Sequence, residues 1–288
     1  MDREAKQLFD QCRQALLPYY PATEAQSMAF LLLEHLFQLD KMQVLINQPI
    51  QTIPQVLQVL DNALRRLQQY EPIQYITKQA EFYGLPFRVK PGVLIPRPET
   101  EELVAWIIQD FQSQPLTLLD IGTGSGCIAV TLAKNMPQAQ VNALDVSNEA
   151  LTIAQQNAAL NKVNIQWIAH NILAPSFTHF ADQSLDVIVS NPPYVTPAEQ
   201  AQMHENVLKH EPALALFVPQ NEPLLFYEAI TQVARQKLKP QGALYFEINE
   251  QFGAITKKMI EQQGFQEVEV RKDLFGKDRM VKAVGLSG

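Results

Sequence analysis

Glycine is missing from the first 83 residues of this chain, although eleven glycines occur beyond them. That stretch is rich in Gln, Leu and Ala, and its prolines fall only where helices can start or separate, so it reads as a helical bundle. Cysteine is scarce: Cys12 and Cys127 are the only two, too few for a disulfide framework, and a reducing cytoplasm is the expected compartment. Basic charge is in deficit as well, the net charge being -7. That balance argues against a protein whose main task is to wrap nucleic acid. No signal peptide and no apolar run of about 18 residues is present, so neither secretion nor membrane insertion is indicated. The five histidines show no zinc-ligand spacing, and no metal is expected.

The helical region, residues 1–80, carries two more specific expectations. Thr23 followed by Gln26 fits a capping box, and Met28, Leu32, Leu36 and Leu39 share one face of the helix that follows. From Phe82 to Ile95 aromatic and β-branched residues surround Gly84, Pro86, Pro91 and Gly92, which predicts a β-hairpin linker over 81–97. From residue 98 to 288 strands and helices alternate. Strands are expected at 116–121, 140–144, 165–169, 185–190, 243–248, 267–274 and 280–284, with helices at 127–136, 147–161 (capped by Ser147), 224–238 and 252–263. This pattern implies an α/β, Rossmann-like domain, a parallel sheet covered on both faces, whose ligand sits outside the carboxyl ends of the strands.

Chemistry-bearing residues fall at those ends. The run Leu116–Ile121 enters Gly122-Thr123-Gly124-Ser125-Gly126 and then a helix, a strand, glycine turn and helix that suit a nucleotide-like cofactor. Its G-x-G-x-G spacing differs from the dinucleotide fingerprint and lacks the Gly-Lys-Ser/Thr of a P-loop. The second strand ends in Asp145, where doubly wound folds bind ribose hydroxyls. S-adenosylmethionine offers a ribose without a phosphate. Asn191-Pro192-Pro193-Tyr194 follows a later strand and fits a site for methylating a planar nitrogen. The Asn191 side-chain oxygen and the Pro192 carbonyl can each accept one hydrogen of a substrate NH2, Tyr194 can cover its flat face, and the two prolines stiffen the turn. Alone, these four residues fit an ordinary strand-ending turn equally well. Glycine turn, ribose acid and Asn191 turn in that order point to an S-adenosylmethionine-dependent N-methyltransferase, with S-adenosylhomocysteine as product.

The segment Gly84 to Glu101, GLPFRVKPGVLIPRPETE, resembles the signature of the bacterial release factor glutamine N5-methyltransferases (PrmC/HemK family). The glycine turn, the Asn-Pro-Pro-Tyr turn, the stretch His210-Glu211-Pro212-Ala213-Leu214 and the ending Asp273 to Arg279 follow in the family's order. The resemblance implies a small N-terminal helical domain joined by a hairpin to a seven-stranded class I methyltransferase domain. It also implies a substrate, the glutamine of the Gly-Gly-Gln loop of peptide chain release factors, methylated on its side-chain amide in translation termination. Carried over, Gly122, Thr123, Gly124, Ser125 and Gly126 contact the methionine part of the cofactor, Asp145 the ribose, Ile172 the adenine, and Asn191 to Tyr194 the substrate glutamine. Asn171 stands where relatives often carry aspartate, so the contact to the adenine amine passes to an amide oxygen or moves elsewhere. Val218 to Glu222 replaces a glycine-rich turn. Arg97 and Glu99 either shape the site entrance or serve structure alone.

Two other readings stay open at this point. A DNA N6-adenine methyltransferase uses the same kind of turn but needs a basic duplex-binding surface, and none is evident. A non-catalytic nucleotide-binding adaptor of translation would not need Asn191 and Tyr194. No direct nucleic-acid contact is expected, and a monomer is the default.

Overall fold

The computed structural model describes residues 2–112 and 114–286, which form two compact units, Met1–Lys78 with His204–His210, and Gln79–Met203 with Glu211–Gly288.

The first unit contains β1 (Asp2–Glu4) paired antiparallel with β2 (Pro49–Gln51), and α1 (Ala5–Leu16), α2 (Ala22–Phe37), α3 (Lys41–Leu45), α4 (Pro54–Leu67) and α5 (Ile73–Thr77). One apolar cluster holds it together, with Leu8, Cys12, Leu16, Met28, Leu32, Leu33, Leu60 and Leu67 at its centre. Each such side chain withdrawn from water contributes roughly 1.5–3 kcal/mol. The expected capping box at Thr23 and Gln26 is not formed: α2 starts earlier, behind Pro21, with no side-chain cap. Proline at that position fixes φ for helix entry and places Thr23 inside the first turn. Gln38 adopts a left-handed conformation and ends α2. Leu39 therefore lies beyond the helix face assigned to it, yet it is buried. A capping box does form at Asp40 and Gln43, ahead of α3.

The second unit opens with a hairpin, β3 (Gln79–Phe82) and β4 (Leu85–Arg88). It is shorter than expected and starts earlier, because Tyr83 and Gly84, both at positive φ, close a two-residue turn. Asn157 treats the hairpin edge as a strand partner would: its Oδ1 accepts from Arg88 N and its Nδ2 donates to Arg88 O. Then follow α6 (Pro98–Phe111), β5 (Thr117–Ile121), α7 (Cys127–Asn135), β6 (Gln140–Asp145), α8 (Asn148–Asn161), β7 (Gln166–Ala169) and β8 (Leu185–Ser190). After a 3-10 turn come α9 (Glu205–His210), which belongs to the first unit, and α10 (Ala213–Leu216). The chain ends with α11 (Leu225–Lys237), β9 (Leu238–Glu247), α12 (Gly253–Gln262), β10 (Phe265–Lys272) and β11 (Asp278–Leu286). Ser147 caps α8 through Ala150 N, as expected.

Seven strands form one sheet in the order β10-β11-β9-β8-β5-β6-β7. The pairs from β9 to β7 are parallel, and β11 and β10 add antiparallel. Alternation along each strand feeds two cores. Leu118, Val187, Val189 and Tyr245 face α6, α7 and α8, while Leu119, Ile188, Leu244 and Phe246 face α11 and α12. The last strands are displaced relative to expectation: Leu274, expected in a strand, sits in the β10–β11 turn, 89% exposed. Gly276 at positive φ closes that turn.

Candidate functional site

Strand order decides where the site lies. From β5 the chain runs outward to β6 and β7, then returns to build β8 on the other side of β5. That reversal opens a crevice at the carboxyl ends of β5 and β8. Ile121 is in register with Ser190, whose Oγ donates to Ile121 O at 2.6 Å. The glycine turn and the Asn191 turn therefore leave the sheet side by side. Between them is a cavity of about 290 Å³. Gly122, Thr123, Gly124, Ser125, Asp145, Asn171, Ile172, Asn191, Pro192 and Pro193 all line it; Gly126 and Tyr194 do not.

The three glycines do different work. Gly122 and Gly124 hold φ of +73° and +56°, and a Cβ on either would meet nothing within 4 Å. Their role is a backbone path that L side chains resist and an open face toward the cavity. Gly126, at φ +80°, would place a Cβ 3.0 Å from Ala154 Cβ. It permits close packing of the turn on α8 and makes no contact with the cavity. The loop is pinned by Asp145, whose Oδ2 accepts from Gly124 N and Oδ1 from Ser147 N, both at 2.8 Å. Burial raises the pKa of this carboxyl, and the backbone N–H groups of Ser147, Gly124 and Val146 oppose that rise. Each oxygen keeps acceptor capacity for a ligand hydroxyl.

Beneath the turn lies Asp120, fully buried. Its Oδ2 accepts from Thr123 Oγ1 at 2.6 Å, its Oδ1 has no hydrogen-bond partner among the described residues, and the Ala129 backbone N–H acts on the carboxyl alongside Thr123. Loss of hydration pushes this acid up to about 7. Arg97 is the only Lys or Arg lining the cavity among the described residues. A phosphate would therefore meet Asp145 without a free cation to balance it. Glycine backbone, a carboxylate for hydroxyls and apolar Ile172 and Val146 instead fit a phosphate-free nucleoside such as S-adenosylmethionine. Asn171 partly commits its Oδ1, which accepts from Leu173 N at 3.0 Å.

At the Asn191 turn, Asn191 Nδ2 donates to Thr100 Oγ1 at 3.2 Å, and Thr100 Oγ1 donates to Glu247 Oε2 at 2.5 Å. No donor reaches Asn191 Oδ1 among the described residues, so that oxygen remains free. Tyr194 differs from expectation. Its hydroxyl donates to Glu247 Oε1 at 3.1 Å and its ring packs on the apolar cluster below the sheet. It braces the turn from beneath and does not line the cavity. Tyr194 N and Val195 N both donate to Leu216 O, while the prolines, having no N–H, leave no donor unpaired. Burial raises the pKa of Glu247, with Thr100, Tyr194 and Arg279 pulling it down.

Thr100, Glu247 and Asp120 escaped sequence reading. The signal for Glu247 was a single carboxylate in the otherwise apolar run Ala243–Ile248. Arg97 lines the cavity, whereas Glu99 lies in a separate shallow groove with Leu274 and Phe275. The stretch Val218–Glu222 does not reach the cavity: Val218 N donates to Val195 O, and Gln220 Oε1 accepts from Ala198 N. Among the described residues no cluster of His, Cys, Asp and Glu could hold a metal ion.

A mostly parallel seven-stranded sheet, with a glycine turn on its central strand and an acid ending the next, defines a class I methyltransferase domain preceded by a helical unit. Solved structures share that fold: a methyltransferase from Pyrococcus furiosus superposes with a TM-score of 0.51 at 19% identity, covering 78% of this chain and 99% of that one. A T. thermophilus 16S rRNA methyltransferase in complex with AdoMet and guanosine gives 0.52 at 18%, covering 72% and 49%. Residues 100–215 match the methyltransferase small domain and residues 7–77 the PrmC N-terminal domain. The release factor glutamine methyltransferase of Flavobacterium psychrophilum is 45% identical over 273 residues, 93% of this chain and 95% of that protein. That of Bacteroides thetaiotaomicron is 45% identical over 271 residues, 94% and 96%. The chain belongs to the release factor glutamine methyltransferase family.

Proposed function

We propose that this enzyme transfers a methyl group from S-adenosylmethionine to the side-chain amide nitrogen of the glutamine in the Gly-Gly-Gln loop of peptide chain release factors. The observation that carries the reading is the free Oδ1 of Asn191 beside the glycine turn, in one cavity with Pro192. Gly122 to Ser125 and Asp145 hold the methionine and ribose parts of the cofactor, with Asn171 and Ile172 toward the adenine. When bound, that cofactor supplies an electrophilic methyl carbon. Asn191 Oδ1 and the Pro192 carbonyl accept the two amide hydrogens, fix the NH2 plane and expose the nitrogen lone pair. Tyr194 and Glu247 keep the turn rigid from below. As the N–C bond forms, the nitrogen becomes strongly acidic and its proton passes through the accepting oxygens to water. No histidine or carboxylate base is required. The same reading takes the enzyme to act in the cytoplasm, as a monomer; among the described residues no helix is long and apolar enough to cross a membrane.

The test is transfer of labelled methyl to a release factor, to the same factor with Gln→Ala in its Gly-Gly-Gln loop, and to duplex DNA. Label on the first alone supports the reading. Label on DNA, or undiminished label on the Ala variant, overturns it.

A further inference from the structure

A carboxamide is nearly symmetric in shape, so nothing in the outline of the Asn191 pocket determines which end faces the substrate. The difference matters. Oδ1 can accept from a substrate NH2, whereas Nδ2 turned the same way would set donor against donor. Resting on the reading above, we propose that Thr100 and Glu247 are positioning residues that fix the polarity of the Asn191 amide.

The argument is a count of protons. Glu247, the last residue of β9, has 1% of its surface exposed. As a carboxylate it can only accept, and it is reached by the Tyr194 hydroxyl and the Thr100 hydroxyl. Thr100, in the first turn of α6, has one hydroxyl proton. Once that proton points at Glu247, the Thr100 oxygen is left purely as an acceptor. Its remaining neighbour is the Asn191 amide at 3.2 Å, which must present Nδ2 and so aim Oδ1 the other way. Three elements, α6, β8 and β9, thus convert one buried charge into the orientation of one oxygen. A proton on Glu247 reverses the chain: the acid donates to Thr100, Thr100 donates to Asn191 Oδ1, and the amide offers its NH2 to the substrate. The groups acting on Glu247 are Thr100 of α6, Tyr194 after β8, Arg279 of β11 as an attracting cation, Glu99 of α6 as a repelling anion, and more weakly Cys127 and Tyr227.

The test uses full-length enzyme and release factor with Thr100→Val, Thr100→Ser and Glu247→Gln. Thr100→Val keeps the shape and removes the acceptor; kcat is expected to fall by roughly 10-fold or more, with KM for the release factor and Kd for S-adenosylmethionine changed less than about 2-fold. Thr100→Ser restores the acceptor and should recover most of kcat. Wild-type kcat should drop as pH falls through the raised pKa of Glu247, and Glu247→Gln, which cannot gain a proton, should lack that limb. An unchanged kcat in Thr100→Val, no recovery in Thr100→Ser, or an acid limb of wild-type size and midpoint in Glu247→Gln overturns the relay. A second readout is independent of turnover: the Asn191 side-chain NH2 resonances, identified by their loss in Asn191→Ala, should shift and exchange faster in Thr100→Val and return in Thr100→Ser. Resonances unmoved by Thr100→Val overturn the relay whatever the activity. Failure of the wild type to label any release factor would instead remove the proposed function, which separates the two.

Discussion

Arg97 Nη2 lies 2.6 Å from Glu211 Oε1, joining two segments 114 residues apart in the chain. Glu211 is the buried partner, and its other oxygen accepts from Ile95 N at 3.4 Å. The pair ties the stretch before α6 to the stretch that supplies Pro212, Leu214 and Ala215 to the cavity wall. Arg97→Ala leaves Glu211 buried with only a weak backbone donor. A loss of about 1–2 kcal/mol in denaturant unfolding is expected, reduced from the cost of a fully buried pair because Arg97 is partly exposed. KM for the release factor should rise with it.

Asn191→Ala removes the acceptor proposed for the substrate amide. Turnover should fall by about 10²-fold or more, while calorimetry shows cofactor affinity close to wild type. A variant that turns over normally contradicts the role given to this amide.

Asp145→Ala acts on the other half of the cavity. It removes the acceptor proposed for ligand hydroxyls and also the two bonds that pin Gly124 and Ser147. Hydrogen bonds to a charged group are worth about 1.5–3 kcal/mol, so the Kd for S-adenosylmethionine should rise by about 10-fold or more in a calorimetric titration.

The glycines separate two kinds of cost. Gly124→Ala bears only the strain of its positive φ, about 1–2 kcal/mol, but fills space beside the ligand and should weaken cofactor binding. Gly126→Ala adds the clash with Ala154, so its stability loss should exceed that of Gly124→Ala by about 1–3 kcal/mol. Unfolding and binding measured on both variants check the distinction.

Asp120 gives the fold a pH dependence with a definite sign. Its acid titrates near 3.8 when hydrated and at about 7 in the fold, so the folded state binds the extra proton between those values. Stability should fall with rising pH by up to about 1.4 kcal/mol per unit across that window and level off above it. Asp120→Asn removes the titrating group and its charge. It should abolish this slope and leave stability near pH 5 similar to wild type, as read by thermal unfolding across pH.

Much of this molecule was legible from residue order alone, and the places where it was not share a cause. The β5 and β8 strands and the Ala243–Phe246 part of β9 announce themselves because both their faces are largely buried and most of their side chains are apolar. Glycine turn, Asp145 and Asn191 are visible because backbone path and ligand chemistry restrict what can stand there. Element ends were displaced where a local event overrode periodicity: Pro21 advanced α2, Tyr83 and Gly84 shortened the hairpin, and Gly276 turned Leu274 out of its strand.

The sequence by itself determined the fold class and the family, and it singled out the residues proposed for the cofactor and for the substrate amide, since each rests on short-range pattern and residue chemistry. Only the tertiary structure decided that Tyr194 braces Glu247 and does not face the cavity, that Arg97 meets Glu211, and that Thr100 stands between Glu247 and Asn191. Those partners lie 53, 114, 147 and 91 residues apart. Their meeting follows from strand order and register, in which Ser190 pairs with both Ile121 and Phe246, and that pairing is a property of the assembled sheet.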